Sequence, residues 1–283
     1  MPNYHYFPAK TTARFNLVIV HGMQEHSGRY QAFAEYLADL GGNIITFDLP
    51  AHGAEKKPDQ LGDFGESGLT RAFSDIEHFF QQFNNDLPNI LFGHSMGSTI
   101  ALRYAEHYKN LNLLILCGLP TNPMVALHAG YYAAKLERLI RPQRPSLLSA
   151  IFKTYNAAFK PTQTDFDWLS ANPDNVQRYI ADPLCGYAIA PQYFVEMFDM
   201  MRQTFSKPAL QQLDPALKIA VVWGADDPVT QFGKGTRQFV RQLQTRHATV
   251  ISHEYTGLRH EILHELEQAH VYQDVAQFIQ THL

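Results

Sequence analysis

The sequence predicts an α/β protein: a mostly parallel sheet flanked by helices, with a mainly helical cap inserted into it. Three observations carry this expectation. Apolar runs alternate with amphipathic segments over residues 1–120 and again over 214–283, the pattern of strand–helix–strand crossover units. Between them, over residues 121–213, the alternation stops, and prolines and aromatics sit among short helical patterns without a convincing strand. Finally, Asn89-Ile90-Leu91-Phe92 runs directly into Gly93-His94-Ser95-Met96-Gly97 and then into apolar residues at helical spacing, so strand, tight turn and helix follow one another without a break.

In chain order, strands are expected over Phe15–Val20, Asn43–Phe47, Asn89–Phe92, Asn112–Leu116, Leu217–Trp223 and Ala248–Tyr255. Between them Phe33, Tyr36, Leu37 and Leu40, and then Phe73, Ile76, Phe80 and Phe83, recur at helical spacing and supply covering helices, and a further helix ends the chain. Residues 1–120 and 214–283 are therefore expected to form the core and 121–213 the cap, folded over the carboxyl edge of the sheet. Few residues precede Phe15, so an edge strand is expected to be missing.

Composition narrows the function. With 45% hydrophobic and 18% charged residues in 283, the chain can bury a large core as one domain or as a core with an inserted subdomain. A formal net charge of -4 and the absence of any Lys/Arg-rich block exclude an overall electrostatic footprint for nucleic acid. The start lacks a basic segment followed by a long apolar stretch, and no apolar run approaches the ~20 residues of a membrane helix, which reads as a soluble, cytoplasmic protein. Cys117 and Cys185 lack C-x-x-C spacing and are read as reduced and structural. No cofactor or metal is expected, and nothing in the sequence sets the oligomeric state.

Gly93 to Gly97 is a G-x-S-x-G turn in the setting where that pattern is a nucleophile elbow. A serine hydroxyl is a weak nucleophile at neutral pH and needs a base to take its proton and an acid to orient that base. After the Leu217–Trp223 run comes Gly224-Ala225-Asp226-Asp227-Pro228-Val229, which places an acid where one is required, whereas Cys117-Gly118-Leu119-Pro120 contains no carboxylate. Asp227 is taken as the acid and Asp226 as the turn residue. His260, in Tyr255-Thr256-Gly257-Leu258-Arg259-His260, is the base. The backbone N–H groups of Met23, in the His21-Gly22-Met23 turn, and of Met96 are the candidate oxyanion donors. His94, His52 and Ser98 are assigned structural roles.

A second pattern competes. His260-Glu261-Ile262-Leu263-His264 matches H-E-x-x-H, and His270 stands where a third zinc ligand would come in the metzincin pattern. That pattern needs a glycine three residues after the second histidine, and Glu267 stands there instead. On a continued helix His270 would lie about 280° around the axis from His260, so the three rings would not converge. The serine reading explains four motifs and the zinc reading one.

With these residues in place, the chain resembles the monoglyceride lipase and lysophospholipase group of the α/β-hydrolases, also known as serine aminopeptidase-like hydrolases. His21-Gly22-Met23-Gln24-Glu25-His26-Ser27-Gly28-Arg29-Tyr30 is similar to the oxyanion segment of that group, and Gly93 to Gly97 to its elbow. Gly224 to Val229, Gly257 to Glu265 and Asp182-Pro183-Leu184-Cys185-Gly186-Tyr187 resemble segments of its bacterial members. The resemblance implies Ser95, Asp227 and His260 as triad and Met23 and Met96 as oxyanion donors. It departs at Pro50-Ala51-His52-Gly53, where a Gly-His-Gly turn is usual.

In the cap, Phe194, Met197 and Met201, with Phe198 and Met200, form an apolar stripe, and Tyr131, Tyr132, Leu136 and Leu139 a second; Met124 begins the same region. Packing within the cap accounts for both. The functional alternative makes Met124, Tyr131, Phe194, Met197 and Met201 the wall for an acyl chain. Lys135, Arg138, Arg141 and Arg144 recur at three-residue spacing, a solvated face or a weak peripheral contact with anionic lipid headgroups. The leading expectation is a hydrolase of single-chain lipid esters. The alternatives are a serine hydrolase of other esters, amides or peptides, and a catalytically silent hydrolase-like binding protein.

Overall fold

A computed structural model of the chain describes residues 2–55, 60–63 and 68–283. Seven strands form one sheet: β1 (Tyr4–Phe7), β2 (Phe15–Val20), β3 (Gly42–Phe47), β4 (Asn89–His94), β5 (Leu113–Cys117), β6 (Lys218–Gly224) and β7 (Val250–Tyr255), in the spatial order β1-β3-β2-β4-β5-β6-β7. All neighbours are parallel except β1 and β3. Strands β2, β3 and β5 are buried along their whole length, which is why they read as continuous apolar runs.

Alternate residues of each strand face opposite layers. On one side Val18, Val20, Leu91, Leu114 and Val221 pack with α2 (Gly68–Phe83), α3 (Met96–His107) and α9 (Lys234–Gln244) through Ile76, Phe79, Ile100, Tyr104 and Phe239. On the other, Leu17, Ile19, Phe92, Ile115 and Val222 meet α1 (Gln31–Asp39) and α10 (Gln268–His282) through Phe33, Leu37, Val271 and Ile279. The carboxyl ends of β2, β4, β6 and β7 are thereby fixed at one edge of the sheet.

The connection between β5 and β6 carries α4 (Met124–Ile140), α5 (Ile151–Asn156), α6 (Pro173–Ala181), α7 (Pro191–Thr204) and the single turn α8 (Lys207–Leu210), with no strand among its described residues. Helix α6 starts where Asn172 accepts the N–H of Asp174 and Pro173 occupies the first turn. Trp168, Leu169, Tyr179 and Cys185 form a separate apolar cluster that reaches Val229 beside β6.

Two expectations are corrected. The edge strand expected to be missing is present as β1, whose exposed Tyr4 and Tyr6 rest on Phe79 and Phe83 of α2 at ring separations of 5.2 and 6.4 Å. In the second apolar stripe of the cap only Tyr131 packs against the core: Tyr132, Leu136 and Leu139 are 65%, 59% and 80% exposed, on the outer side of α4. At the Pro50-Ala51-His52-Gly53 turn, Ala51 adopts φ +65°, a left-handed conformation normally left to glycine.

Candidate active site

Ser95 joins β4 to α3 at φ +53° and ψ -122°. Such a backbone costs a non-glycine residue on the order of 1–3 kcal/mol and persists only when its surroundings enforce it. Here they do. A Cβ on Gly97 would lie 2.2 Å from the Val20 carbonyl oxygen, and one on Gly93 would lie 2.3 Å from the Gly97 oxygen, so strand and helix can approach only because both positions lack side chains. The N–H of Ser95 donates to the Cys117 carbonyl at 2.8 Å, and the N–H of Ser98 to the Ser95 carbonyl at 2.9 Å.

Asp227 lies fully buried in the turn after β6, where the Val229 N–H donates to its Oδ1 at 2.8 Å. Its second oxygen accepts from His260 Nδ1–H at 2.8 Å, and His260 Nε2 lies 2.8 Å from Ser95 Oγ, whose proton it can take. Asp226 is exposed and holds the two loops together by its backbone, its N–H donating to the Leu258 carbonyl at 3.0 Å. The three residues assigned to the triad are therefore one hydrogen-bonded line.

The His21-Gly22-Met23 turn faces the elbow, since a Cβ on Gly22 would stand 3.1 Å from Ser95 Cβ. His21 is structural there. Its Nε2 accepts the Leu49 N–H at 2.9 Å, which leaves the proton on Nδ1 to donate to the Gly22 carbonyl at 2.7 Å; burial lowers its pKa and keeps the ring neutral. Met23, Met96 and Ser95 border one cavity of about 260 Å³. From the β5–β6 connection Leu127, Phe152, Trp168, Phe194, Met197 and Met201 close over it.

Phe194, Met197 and Met201 thus stand where the acyl-wall expectation put them, but Met124 and Tyr131 do not. Helix α4 turns Leu127 and Gly130 toward the cavity, and Tyr131 lies off this face beneath the guanidinium of Arg202, 4.4 Å from its ring centre. Met124, at the first position of α4, is also outside the lining. The sequence reading missed Trp168, whose ring centre lies 5.4 Å from that of His260. Nothing in its local pattern signals that contact.

The geometry also separates the H-E-x-x-H residues. Both nitrogens of His260 are engaged by Ser95 and Asp227. Glu261 accepts two hydrogen bonds from Arg29, at 2.5 and 2.7 Å. His264 ends a short helical turn against Tyr30, with a pKa pushed down to about 4 by burial, and His270 is exposed on α10. Elsewhere among the described residues His26, Asp182 and Cys185 bring their donor atoms together. His26 Nδ1 accepts the Gly28 N–H at 3.2 Å and Nε2–H donates to Asp182 Oδ2 at 2.8 Å. A metal on Nε2 would need the proton on Nδ1, pointed at a backbone donor, so the trio fits a hydrogen-bonded clasp and not a metal site.

The family described as serine aminopeptidase S33 (Hydrolase_4) matches residues 11–267. The chain belongs to this family. The monoacylglycerol lipase of Mycolicibacterium smegmatis is 28% identical over 285 residues, which cover 99% of this chain and 93% of that one. The human monoglyceride lipase is 28% identical over 190 residues, 63% of this chain and 55% of that protein. A thermostable carboxyl esterase from Bacillus coagulans superposes with a TM-score of 0.89 at 26% identity, covering 99% of this chain and 93% of its own. This S33-family chain is an enzyme, a serine ester hydrolase of the α/β-hydrolase fold and of the monoglyceride lipase group.

Behind the line of Ser95, His260 and Asp227 the S33-family chain gathers four ionisable groups that the sequence reading did not connect. Glu25 and Glu261, each 2% exposed, flank Arg29, which donates to Glu25 Oε2 at 2.8 Å and to both oxygens of Glu261. Asn175 Nδ2 adds a hydrogen bond to Glu261 at 2.6 Å. The fourth group is His94, whose Nδ1 stands 3.1 Å from Glu25 Oε1 and whose Nε2 stands 3.2 Å from the His260 carbonyl oxygen.

Proposed function

We propose that the chain hydrolyses carboxylic esters of single-chain lipids, of the monoacylglycerol or lysophospholipid type, through an acyl-enzyme on Ser95. The observation that carries this reading is the line from Asp227 through His260 to Ser95, opening into a cavity of about 260 Å³ lined mainly by apolar side chains. Ser95 Oγ attacks the ester carbonyl as His260 Nε2 takes its proton. Asp227 holds the Nδ1–H tautomer and stabilises the imidazolium that forms. The N–H groups of Met23 and Met96 receive the negative charge that develops on the carbonyl oxygen. His260 then gives its proton to the leaving alcohol, and a water activated by the same ring releases the acid.

Residues 121–213 act in this reading as a cap over the core formed by 1–120 and 214–283. Cleavage of a peptide with a free amino end is disfavoured, because Glu25 and Glu261, the carboxylates bordering the cavity, are both committed to Arg29. On the outer side of α4, Val125, Tyr132, Leu136, Leu139 and Ile140 are exposed, on the helix that also carries Lys135 and Arg138. That combination supports peripheral contact with an anionic lipid surface. No helix among the described residues is long and apolar enough to cross a membrane. The two free, buried cysteines Cys117 and Cys185 suit a reducing, cytoplasmic setting.

The test is a series of monoesters of increasing acyl length, presented in micelles and in neutral and anionic vesicles. A fully buried methylene contributes about 0.8 kcal/mol, up to about fourfold per carbon if all of it is expressed in the transition state. Values of kcat/KM should climb from acetate to medium and long chains, exceed those for aminoacyl-arylamides, and rise again on anionic vesicles. A maximum at acetate, or faster cleavage of the arylamides, overturns the substrate class; equal rates on both vesicle types overturn the lipid contact.

A further inference from the structure

We propose that His94 is a buried imidazolium that positions the catalytic base, donating from both ring nitrogens at once. This rests on the reading of His260 as base. Glu25 Oε1 accepts the Gly22 N–H at 2.6 Å and the Tyr30 hydroxyl at 2.9 Å, while Oε2 accepts from Arg29. A carboxylate surrounded by donors in this way is ionised and has no proton to offer His94 Nδ1. The His260 carbonyl, on the other side of the ring, can only accept. Two acceptors on one imidazole require a proton on each nitrogen and a positive charge on the ring.

Charge balance points the same way. Glu25, Glu261 and Arg29 together carry one net negative charge in a region where each carboxylate is 2% exposed, and an uncompensated interior charge is costly. The remaining neighbours cannot supply the cation: burial holds His264 neutral, down to about 4, and keeps the proton on Tyr30 and Cys185. Asp227 lies beyond the His260 ring, and the His26–Asp182 pair is engaged with itself. For His94 and Glu25 burial alone opposes charge on both, but their mutual hydrogen bond, with Arg29 acting on the carboxylate, raises the ring and lowers the carboxyl well below its ordinary value.

The consequence is geometric. Through Glu25 the ring is linked to Gly22 in the oxyanion turn; through Nε2–H it is tied to the peptide of the base; and it directly precedes Ser95. The three parts that must agree in position within a fraction of an ångström are thus joined by one charged group, and misplacement by about 1 Å can cost about 10²-fold in rate.

The experiment is nitrogen NMR of ¹⁵N-histidine-labelled wild type at about pH 8, well above the ordinary imidazole pKa. His94 is assigned by its absence in His94→Gln, and kinetics of His94→Gln and Glu25→Gln are measured alongside. The expected result is one histidine other than His260 with both nitrogens protonated, a kcat lower by about 10–10² with KM within a few-fold in His94→Gln, and a neutral His94 in Glu25→Gln. A wild type in which no histidine has both nitrogens protonated at that pH overturns the proposal even if the variants do not fold. So does a folded His94→Gln with wild-type kcat. Failure of the serine reading itself shows differently, as activity that persists in Ser95→Ala.

Discussion

Asp226 and Asp227 are adjacent in sequence and opposite in circumstance. One side chain is in solvent, while the other is fully buried with one oxygen on a backbone N–H and the other on His260. Asp227→Asn presents an amide N–H or a weak acceptor to Nδ1, favours the wrong tautomer, and should lower kcat by about 10⁴. Asp226→Asn should stay close to wild type, as exposed substitutions do. Steady-state kinetics of the two purified variants decide between them, and the reverse order would transfer the orienting role to Asp226. Ser95, Asp227 and His260 were legible in the sequence because each follows a strand in a short local pattern with glycine beside it. The cluster of Glu25, Arg29, His94 and Glu261 was not, because its members are far apart in sequence, Arg29 and Glu261 by 232 residues, and meet only when three loops converge at the sheet edge. His94 was accordingly read as merely structural.

At the level of elements, six strands were legible with ends displaced by at most two residues, five of them because strands buried on both faces leave few polar gaps; β7, at the sheet edge, is mostly exposed or half-buried. β1 escaped notice since its residues are exposed or half-buried, and only its pairing to β3 makes it a strand. The outward face of α4 escaped for the opposite reason, because apolar spacing alone does not say which side of a helix is covered. Helix α3 carries a cost of its own. Glu106, in its last turn, is 2% exposed; Arg103 donates to Oε2 at 2.8 Å, but Oε1 has no partner among the described residues. Burial pushes its pKa up to about 7, with Arg103 offsetting only part of the effect. A raised carboxyl means that the folded state holds a proton the unfolded chain releases, so stability is lost as pH rises from the ordinary carboxyl range toward 7 and levels off above it. Glu106→Gln should therefore be nearly neutral in urea unfolding at about pH 5 and stabilising by on the order of 1–2 kcal/mol at about pH 8. The same difference at both pH values would contradict the assignment.

For the whole molecule, the arrangement divides labour between a rigid sheet edge and the connection folded above it. β2, β4, β6 and β7 fix the Gly22 turn, Ser95, Asp227 and His260, to which the proposed reading gives the roles of oxyanion turn, nucleophile, acid and base, and two helical layers pack on the two faces of the sheet that carries them. The β5–β6 connection supplies most of the apolar cavity lining, so the proposed reading has reaction type set by the first and substrate shape by the second. The break in strand–helix alternation after residue 120 pointed to an inserted helical segment, whereas Met124 and Tyr131 lie off the cavity lining, because their placement depends on how α4 is rotated about its axis. The central claim is that a single serine at the foot of that cavity carries the acyl group. Its most direct test is peptide mapping by mass spectrometry after inactivation with a p-nitrophenyl phosphonate bearing a long alkyl chain, with residual ester hydrolysis followed in the same samples. The account predicts one phosphonyl group per chain, located on Ser95, with activity lost in proportion to its incorporation and no labelling of Ser95→Ala. Inactivation with the adduct on another residue, or stoichiometric labelling of Ser95 that leaves hydrolysis intact, would contradict it.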